Sequence, residues 1–259
     1  MSIAVCTPTY NRRWTWEWSR MCFDRQDYPA DRLSWIVVDN SDTPEQSWEV
    51  SKDHPRVTYV RVEGKRAIGE LRNICIQEAL KTECEYIAFW DDDDFYVTHR
   101  FSHAIQELGK NPEKVYVGCS LLYLLLVKEN VLMKVGPYGE NHSTAASWVM
   151  RRSHAEQNMF DPKATKGEEG RFMREWKTPM VMIRPEDCLL VMGHHVNTVN
   201  KSQVRAKSQQ FLASDLNSAN GKMVARLQWF KSSEVWDQFQ STFSVVSNAT
   251  PRVTTSKTD

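Results

Sequence analysis

Residues 86–96 read YIAFWDDDDFY, an apolar run that passes without transition into four consecutive aspartates. Its first five residues, three of them aromatic, have the length and composition of a buried strand. The acids stop it, because adjoining carboxylates repel one another and resist burial unless a cation neutralises them. The stretch therefore predicts a strand whose carboxyl end carries a negative cluster. Upstream, residues 3–6, 35–38 and 57–62 are short apolar or β-branched runs of the same kind, each closed by polar or turn-forming residues. Segments 13–25, 44–52 and 67–81 lie between them with helical character. In the last of these, Leu71, Ile74, Cys75 and Ala79 fall at offsets 0, 3, 4 and 8 and share one helix face. Downstream of the acids, Phe101, Ala104, Ile105 and Leu108 recur at offsets 0, 3, 4 and 7 and predict another helix at once. Strands alternating with helices at this spacing predict an α/β fold with a mainly parallel central sheet and helices on both faces.

After that helix the pattern is mixed. Strands are expected at 115–119, 121–127, 131–135, 146–150 and 180–183, with helical pieces near 153–158 and 168–176. From about residue 201 the chain turns polar and helix-prone, which predicts a helical appendage over 201–246 and a disordered tail over 247–259. The main domain is expected to span 1–200, divided into a half over 1–96 and a half over 97–200.

Composition narrows the partners. The 33 basic side chains balance the 33 acidic ones, so no overall field draws the protein to nucleic acid or an anionic membrane. Cys6, Cys22, Cys75, Cys84, Cys119 and Cys188 show no zinc-type spacing, and several sit in apolar segments, which favours a reduced, cytoplasmic setting. The longest strongly apolar run, 121–127, is far short of the roughly 20 residues a membrane span needs, and the first residues lack signal-peptide character. Trp14, Trp16 and Trp18 alternate beside Arg12 and Arg13; core packing at a helix start is the simpler reading, an interaction surface the alternative.

The acidic cluster carries the chemistry. Ligands of open α/β sheets bind at the carboxyl ends of the strands, and carboxylate oxygens suit Mg²⁺ or Mn²⁺ shared with substrate phosphates. A solvated acidic turn is the bland alternative. The D-x-D pattern at Asp91 and Asp93, with the aromatic and the helix after it, resembles the family-two glycosyltransferases of the GT-A fold. AVCTPTYNR, IVVDNSDT and GELRNICIQEAL match upstream in the same order, and ASWVMRRS, KGEEGRF and GHHVNT match downstream.

The resemblance implies a nucleoside-diphosphate sugar donor, expected to be a UDP-sugar, and transfer with inversion to a hydroxyl of a glycan or other acceptor. It sets Thr7, Pro8, Thr9 and Tyr10 around base and ribose, Asp39 on the base ring, and Arg72 on base or phosphate. Asp39 can instead cap a turn, and Arg72 can pair with Glu70 or Glu78 on a helix surface. Asp93 is the expected metal ligand, with Asp91 and Asp92 toward ribose or bound water, in a register open by one. A late histidine, His195 in preference to His194, is a further candidate ligand. The general base falls on Glu169 or Glu168, where the family has Glu-Asp; first-turn acids favouring a helix dipole are the alternative reading of that pair. Asn141, His142 and Ser143 are candidates for the acceptor cleft. A nucleotidyltransferase is the rival enzyme, although CTPTYNRR lacks the glycine-rich phosphate loop such enzymes carry, and a non-catalytic nucleotide-sugar-binding module is the rival of another class.

Overall fold

The computed structural model describes residues 1–127, 131–194, 196–197, 209–212, 235, 237–239 and 241–243. The first half alternates β1 (Ile3–Thr9), α1 (Trp16–Asp24), β2 (Leu33–Asp39), β3 (Val57–Arg61), α2 (Ile68–Leu80) and β4 (Tyr86–Phe89). A two-residue β5 (Phe95–Tyr96) separates the acids from α3 (Arg100–Lys110). There follow β6 (Tyr116–Gly118), β7 (Leu122–Leu126), β8 (Val131–Val135), β9 (Val149–Arg151), α4 (Arg152–Gln157), α5 (Glu169–Phe172), β10 (Met180–Met182), β11 (Leu189–Gly193) and β12 (Gln209–Leu212).

Seven strands form the main sheet in the order β10-β6-β9-β4-β1-β2-β3, and every neighbouring pair is parallel except the two that β9 makes. The period-two alternation of the buried strands divides the core. Ile3, Val5, Trp35, Val37 and Ala88 face one side with Trp18 and Phe23 of α1 and Phe101 and Leu108 of α3. Ala4, Cys6, Ile36, Val38, Ile87 and Phe89 face the other with Leu71, Cys75 and Ala79 of α2 and Phe172 of α5. Such strands read as continuous apolar runs because helices cover both faces. A second sheet, β12-β8-β7-β11-β5, packs its buried leucines into the first of these cores.

Three local expectations change. Residues 44–52 form two short 3₁₀ turns, Pro44–Gln46 and Glu49–Asp53, instead of a helix. The 168–176 helix shrinks to four residues, after which Arg174, Glu175 and Trp176 adopt φ of 51°, 53° and 62°. Left-handed backbone costs a non-glycine residue roughly 1–2 kcal/mol, so a run of three is held by its surroundings. Glu175 N–H bonds the Gly170 carbonyl at 2.7 Å, and Arg174 Nε bonds Asn158 Oδ1 at 3.0 Å. Within the expected helical appendage, Gln209–Leu212 is a strand paired antiparallel with β8, while Val235, Phe239 and Phe243 lie in helix and bury against the core that holds Trp18. The rest of 201–246 and the tail at 247–259 lie outside the described residues.

All six cysteines are buried and unbridged. Trp16 and Trp18 are core residues, and Trp14 meets His194 and Phe243 edge-on at 5.2 and 5.6 Å. No helix among the described residues is long and apolar enough to cross a membrane.

Candidate functional site

Strand β1 lies between β2 and β4, so the chain builds outward in one direction through β2 and β3 and then returns to the opposite side of β1. A crevice opens at such a reversal, at the carboxyl ends of the two flanking strands. Here those ends are Pro8 and Thr9 on β1 and Asp91 to Asp93 just beyond β4, and they line a cleft of about 340 Å³. Opposite them stand Arg72 and residues 165–169, and Arg12, Thr144, Val196 and Asn197 complete the wall.

The four aspartates do separate things. Asp91 Oδ1 accepts from Arg72 at 3.3 Å and is the most exposed of the three acids in the cleft. Asp92 is pinned between Thr9 Oγ1 at 2.6 Å and Arg12 at 2.6 Å. Asp93 Oδ2 takes Arg12 as well, together with His194 Nε2 and Asn197 Nδ2, each at 3.0 Å. Asp94 turns away from this cleft and accepts the Met192 amide of β11 at 2.9 Å, which ties the acidic loop to the second sheet.

Burial alone would lower the basicity of Arg12, but Asp92 and Asp93 more than reverse that, and its guanidinium stays firmly charged. Even with that cation present, burial pushes Asp92 up to about 7, with Arg12 opposing and Asp93 adding to the rise.

Helix α2 organises the far wall through three residues of GELRN. Gly69 is required, because any Cβ there would collide with the Asp161 carbonyl, and its N–H bonds the Ala164 carbonyl at 3.1 Å. Asn73 exchanges two hydrogen bonds with the Phe160 backbone, at 2.9 and 3.1 Å. Arg72 Nε bonds Glu168 Oε1 at 2.8 Å, with both side chains buried. This clamp delivers Glu169, which accepts a long 3.4 Å bond from the Ala145 amide. Burial, with the Glu168 charge beside it, raises the Glu169 pKa, and Arg72 only partly offsets them. Of the two glutamates, Glu168 is committed to Arg72 and Glu169 is the one whose pKa is raised. A four-residue helix gives these acids little dipole to favour, so their partners decide their roles.

Two expected donor residues sit elsewhere. Thr7 is fully buried and accepts from Trp35 Nε1 at 2.9 Å, away from the cleft. Asp39 is also fully buried; it accepts the Ser41 and Trp48 amides, the Tyr59 hydroxyl at 3.2 Å and Arg61 at 3.3 Å. Tyr10 reaches the cleft, with its hydroxyl on Asp42 at 2.8 Å. Of the histidine pair, His194 reaches Asp93, and His195 lies outside the described residues. Arg12, Asn73, Thr144 and Asn197 emerge only from the fold. The one sequence signal for Arg12 is its place directly after the β1 loop.

The donors present fit a divalent cation of the Mg²⁺ or Mn²⁺ type. Among the described residues no three His, Cys, Asp or Glu side chains form a ready cage, but such ions typically use one or two carboxylates and take the remainder from phosphates and water. Asp91, Asp93 and His194 supply oxygen and imidazole donors, and a cationic side chain already bridges Asp92 and Asp93.

The solved structure of S. aureus TarS 1-349 in complex with UDP-GlcNAc is similar in fold, with a TM-score of 0.56 at 14% identity over 94% of this chain and 73% of that one. The match covers 44% of the longer TarS chain. Mannosyltransferase PcManGT from Pyrobaculum calidifontis, solved with GDP-Man and Mn²⁺, gives a TM-score of 0.54 at 15% identity, over 96% of this chain and 75% of that one. No curated protein matches the sequence. The fold is GT-A, mixed α/β around a mostly parallel sheet. The family described as glycosyl transferase family 2 matches residues 4–170, more than half of the chain, and the protein is a member of it.

Proposed function

We propose that the protein transfers a sugar from a nucleoside diphosphate, uridine being the favoured base, to an acceptor hydroxyl with inversion. The observation that carries this reading is that two unlike carboxylate groups line one cleft: Asp91 to Asp93 with their cations, and Glu169 with its raised pKa. Pro8, Thr9 and Tyr10 border the end of the cleft assigned to base and ribose, and Arg72 reaches toward the diphosphate. Asp93 and Asp91 would supply the carboxylates for Mn²⁺ or Mg²⁺, with His194 beside Asp93, and the ion when bound supplies Lewis-acid neutralisation of the leaving diphosphate. Glu169 removes the acceptor proton as the hydroxyl attacks the anomeric carbon, and the nucleoside diphosphate departs with the bonding pair. Its raised pKa matches a base that must hold the proton through the transition state. The resulting activity falls on the acid side at a higher pH than an ordinary glutamate would dictate.

Glu169→Gln tests the assignment. The variant should bind UDP with Mn²⁺ as the wild type does in calorimetry, while sugar release from UDP-sugars falls about 10²- to 10⁴-fold. Full activity in Glu169→Gln would move the base elsewhere, absence of UDP binding by the wild type would overturn the choice of uridine, and absence of binding to UDP and GDP alike would overturn the donor class.

A further inference from the structure

A second cavity of about 300 Å³ adjoins the donor cleft, and Asp91, Thr144 and Glu169 line both. Tyr138, His142 and Trp176 also line it, but these rings cover one another. Trp176 stacks on His142 at 3.9 Å with 17° between planes, and His142 stacks on Tyr138 at 5.2 Å and 28°. The left-handed run of residues 174–176 brings the indole there by folding the chain back over Gly170. Glu175 N–H bonds the Gly170 carbonyl at 2.7 Å, and Thr178 N–H bonds the Met173 carbonyl at 3.3 Å. Asn158 adds an outside tie: its Oδ1 accepts Arg174 Nε at 3.0 Å, and its Nδ2 bonds the His154 carbonyl at 2.7 Å.

An unstrained conformation is open to the same residues. Met173, Arg174, Glu175 and Lys177 are good helix formers, and nothing in 170–177 is β-branched. Phe172, Met173 and Trp176 fall at offsets 0, 1 and 4, on one face of a helix, and the first two are already buried. Pro179 supplies a stop, because the residue before a proline is pushed out of helical conformation. In such a helix Trp176, seven positions after Glu169, shares the face of Glu169 and no longer folds back on Gly170.

We infer that residues 173–177 are a latch with two states. In one, the left-handed turn holds Trp176 on His142 as a wall of the cavity; in the other, α5 continues to Lys177, the indole leaves His142 and that wall opens. The strained conformation is the one observed, so it is held by contacts outside its own backbone preference, namely Asn158 and the ring stack. Each of these ties is a point of release. The latch goes beyond the transferase reading and does not depend on it, since it follows from the chain's backbone preferences. Its consequence for the site is that one of the two cavities meeting at Glu169 has a movable wall.

Fluorine NMR of protein labelled with 5-fluorotryptophan tests this, with the Trp176 line assigned from Trp176→Phe. Relaxation dispersion on the microsecond-to-millisecond scale should report exchange between stacked and unstacked indole in the wild type. Glu175 is exposed, so substitutions there probe the backbone. Glycine adopts a φ of 53° freely and is a poor helix former, so Glu175→Gly should cut the second state about 10- to 100-fold and abolish the dispersion. Glu175→Ala keeps the left-handed cost and favours helix, and should raise the second state about two-fold. Asn158→Ala removes the tie to Arg174 and should raise it about two- to ten-fold. A Trp176 line free of dispersion in wild type, Glu175→Ala and Asn158→Ala alike overturns the inference. So does a second state that glycine populates more than alanine does, because that state is a loosened loop and not a helix. Should Asn158→Ala fail to fold, the wild type and the two Glu175 variants decide alone.

Discussion

Arg12→Met, which keeps the apolar stem and removes the charge, should destabilise the protein in a way that Mn²⁺ reverses. The guanidinium bonds Asp92 at 2.6 Å and Asp93 beside it, and the three side chains are only 13%, 5% and 6% exposed. Loss of the cation removes the partner shared by two adjoining buried acids, leaving Thr9 on Asp92 and His194 and Asn197 on Asp93. Removing one partner of a buried pair costs about 3–5 kcal/mol, in line with roughly 4 kcal/mol for unit charges about 4 Å apart at an effective dielectric near 20. Proton uptake by Asp92, already lifted to about 7, limits the penalty to the lower end of that range. At about 2–4 °C per kcal/mol for a domain of this size, a loss of about 3 kcal/mol lowers Tm by about 6–12 °C. Mn²⁺ at a hundred times its Kd restores roughly 2.7 kcal/mol, nearly the whole deficit. Wild type, in which Arg12 competes for the same oxygens, should gain less. Thermal melts of both proteins with and without Mn²⁺ at neutral pH read the difference. An unchanged Tm in the variant, or equal Mn²⁺ shifts in the two proteins, would refute the claim that Arg12 and the metal share carboxylates.

Asp39→Ala should cost roughly 2–6 kcal/mol in urea denaturation, because the Ser41 and Trp48 amides lose their acceptor at about 1–3 kcal/mol for each unsatisfied group. Unchanged stability with a raised donor KM would instead make Asp39 a reader of the base. His154 is buried, and burial followed by Arg174 lowers its pKa to about 4. The unfolded chain, with histidine near 6.5, therefore takes the proton first as pH falls. Up to roughly 3 kcal/mol of stability should be lost between about pH 6.5 and 4 in wild type but not in His154→Gln, measured by denaturation at stepped pH.

What the sequence made legible was whatever local periodicity controls. Strands β1, β2 and β4 and helix α2 are read from runs of four to thirteen residues, and each pattern has one dominant solution once both faces of the sheet are covered. Residues 174–176 were illegible for the opposite reason. REW contains no glycine, and the left-handed turn is held by ties that include those to Gly170 and Asn158. Arg12 and Asn197 likewise acquire their roles from Asp93, which lies 81 and 104 positions away in sequence. Asp39 shows the converse limit. VDNSD is equally consistent with a base reader and a turn cap, and the side chain's four protein partners favour the cap.

The run of four aspartates is best understood as a junction. A cation of the Mg²⁺ or Mn²⁺ type typically uses one or two carboxylates, and the remaining acids would then be a burden in a site this buried. Each acid is instead claimed by a different part of the chain: Asp91 by α2, Asp92 by β1 and the loop after it, Asp93 by Arg12 and the segment after β11, and Asp94 by β11 itself. The loop therefore joins the main sheet to the second sheet through charge-assisted hydrogen bonds, whose strength depends on the acids remaining ionised. Asp91 also borders both cavities. Strand β11, which Asp94 holds through the Met192 amide, supplies Val191 to the wall of the second cavity. Substitutions in this run should consequently split by partner and not by distance from the donor: Asp94→Asn strikes the seam between the sheets, whereas Asp91→Asn leaves that seam intact and strikes the cleft.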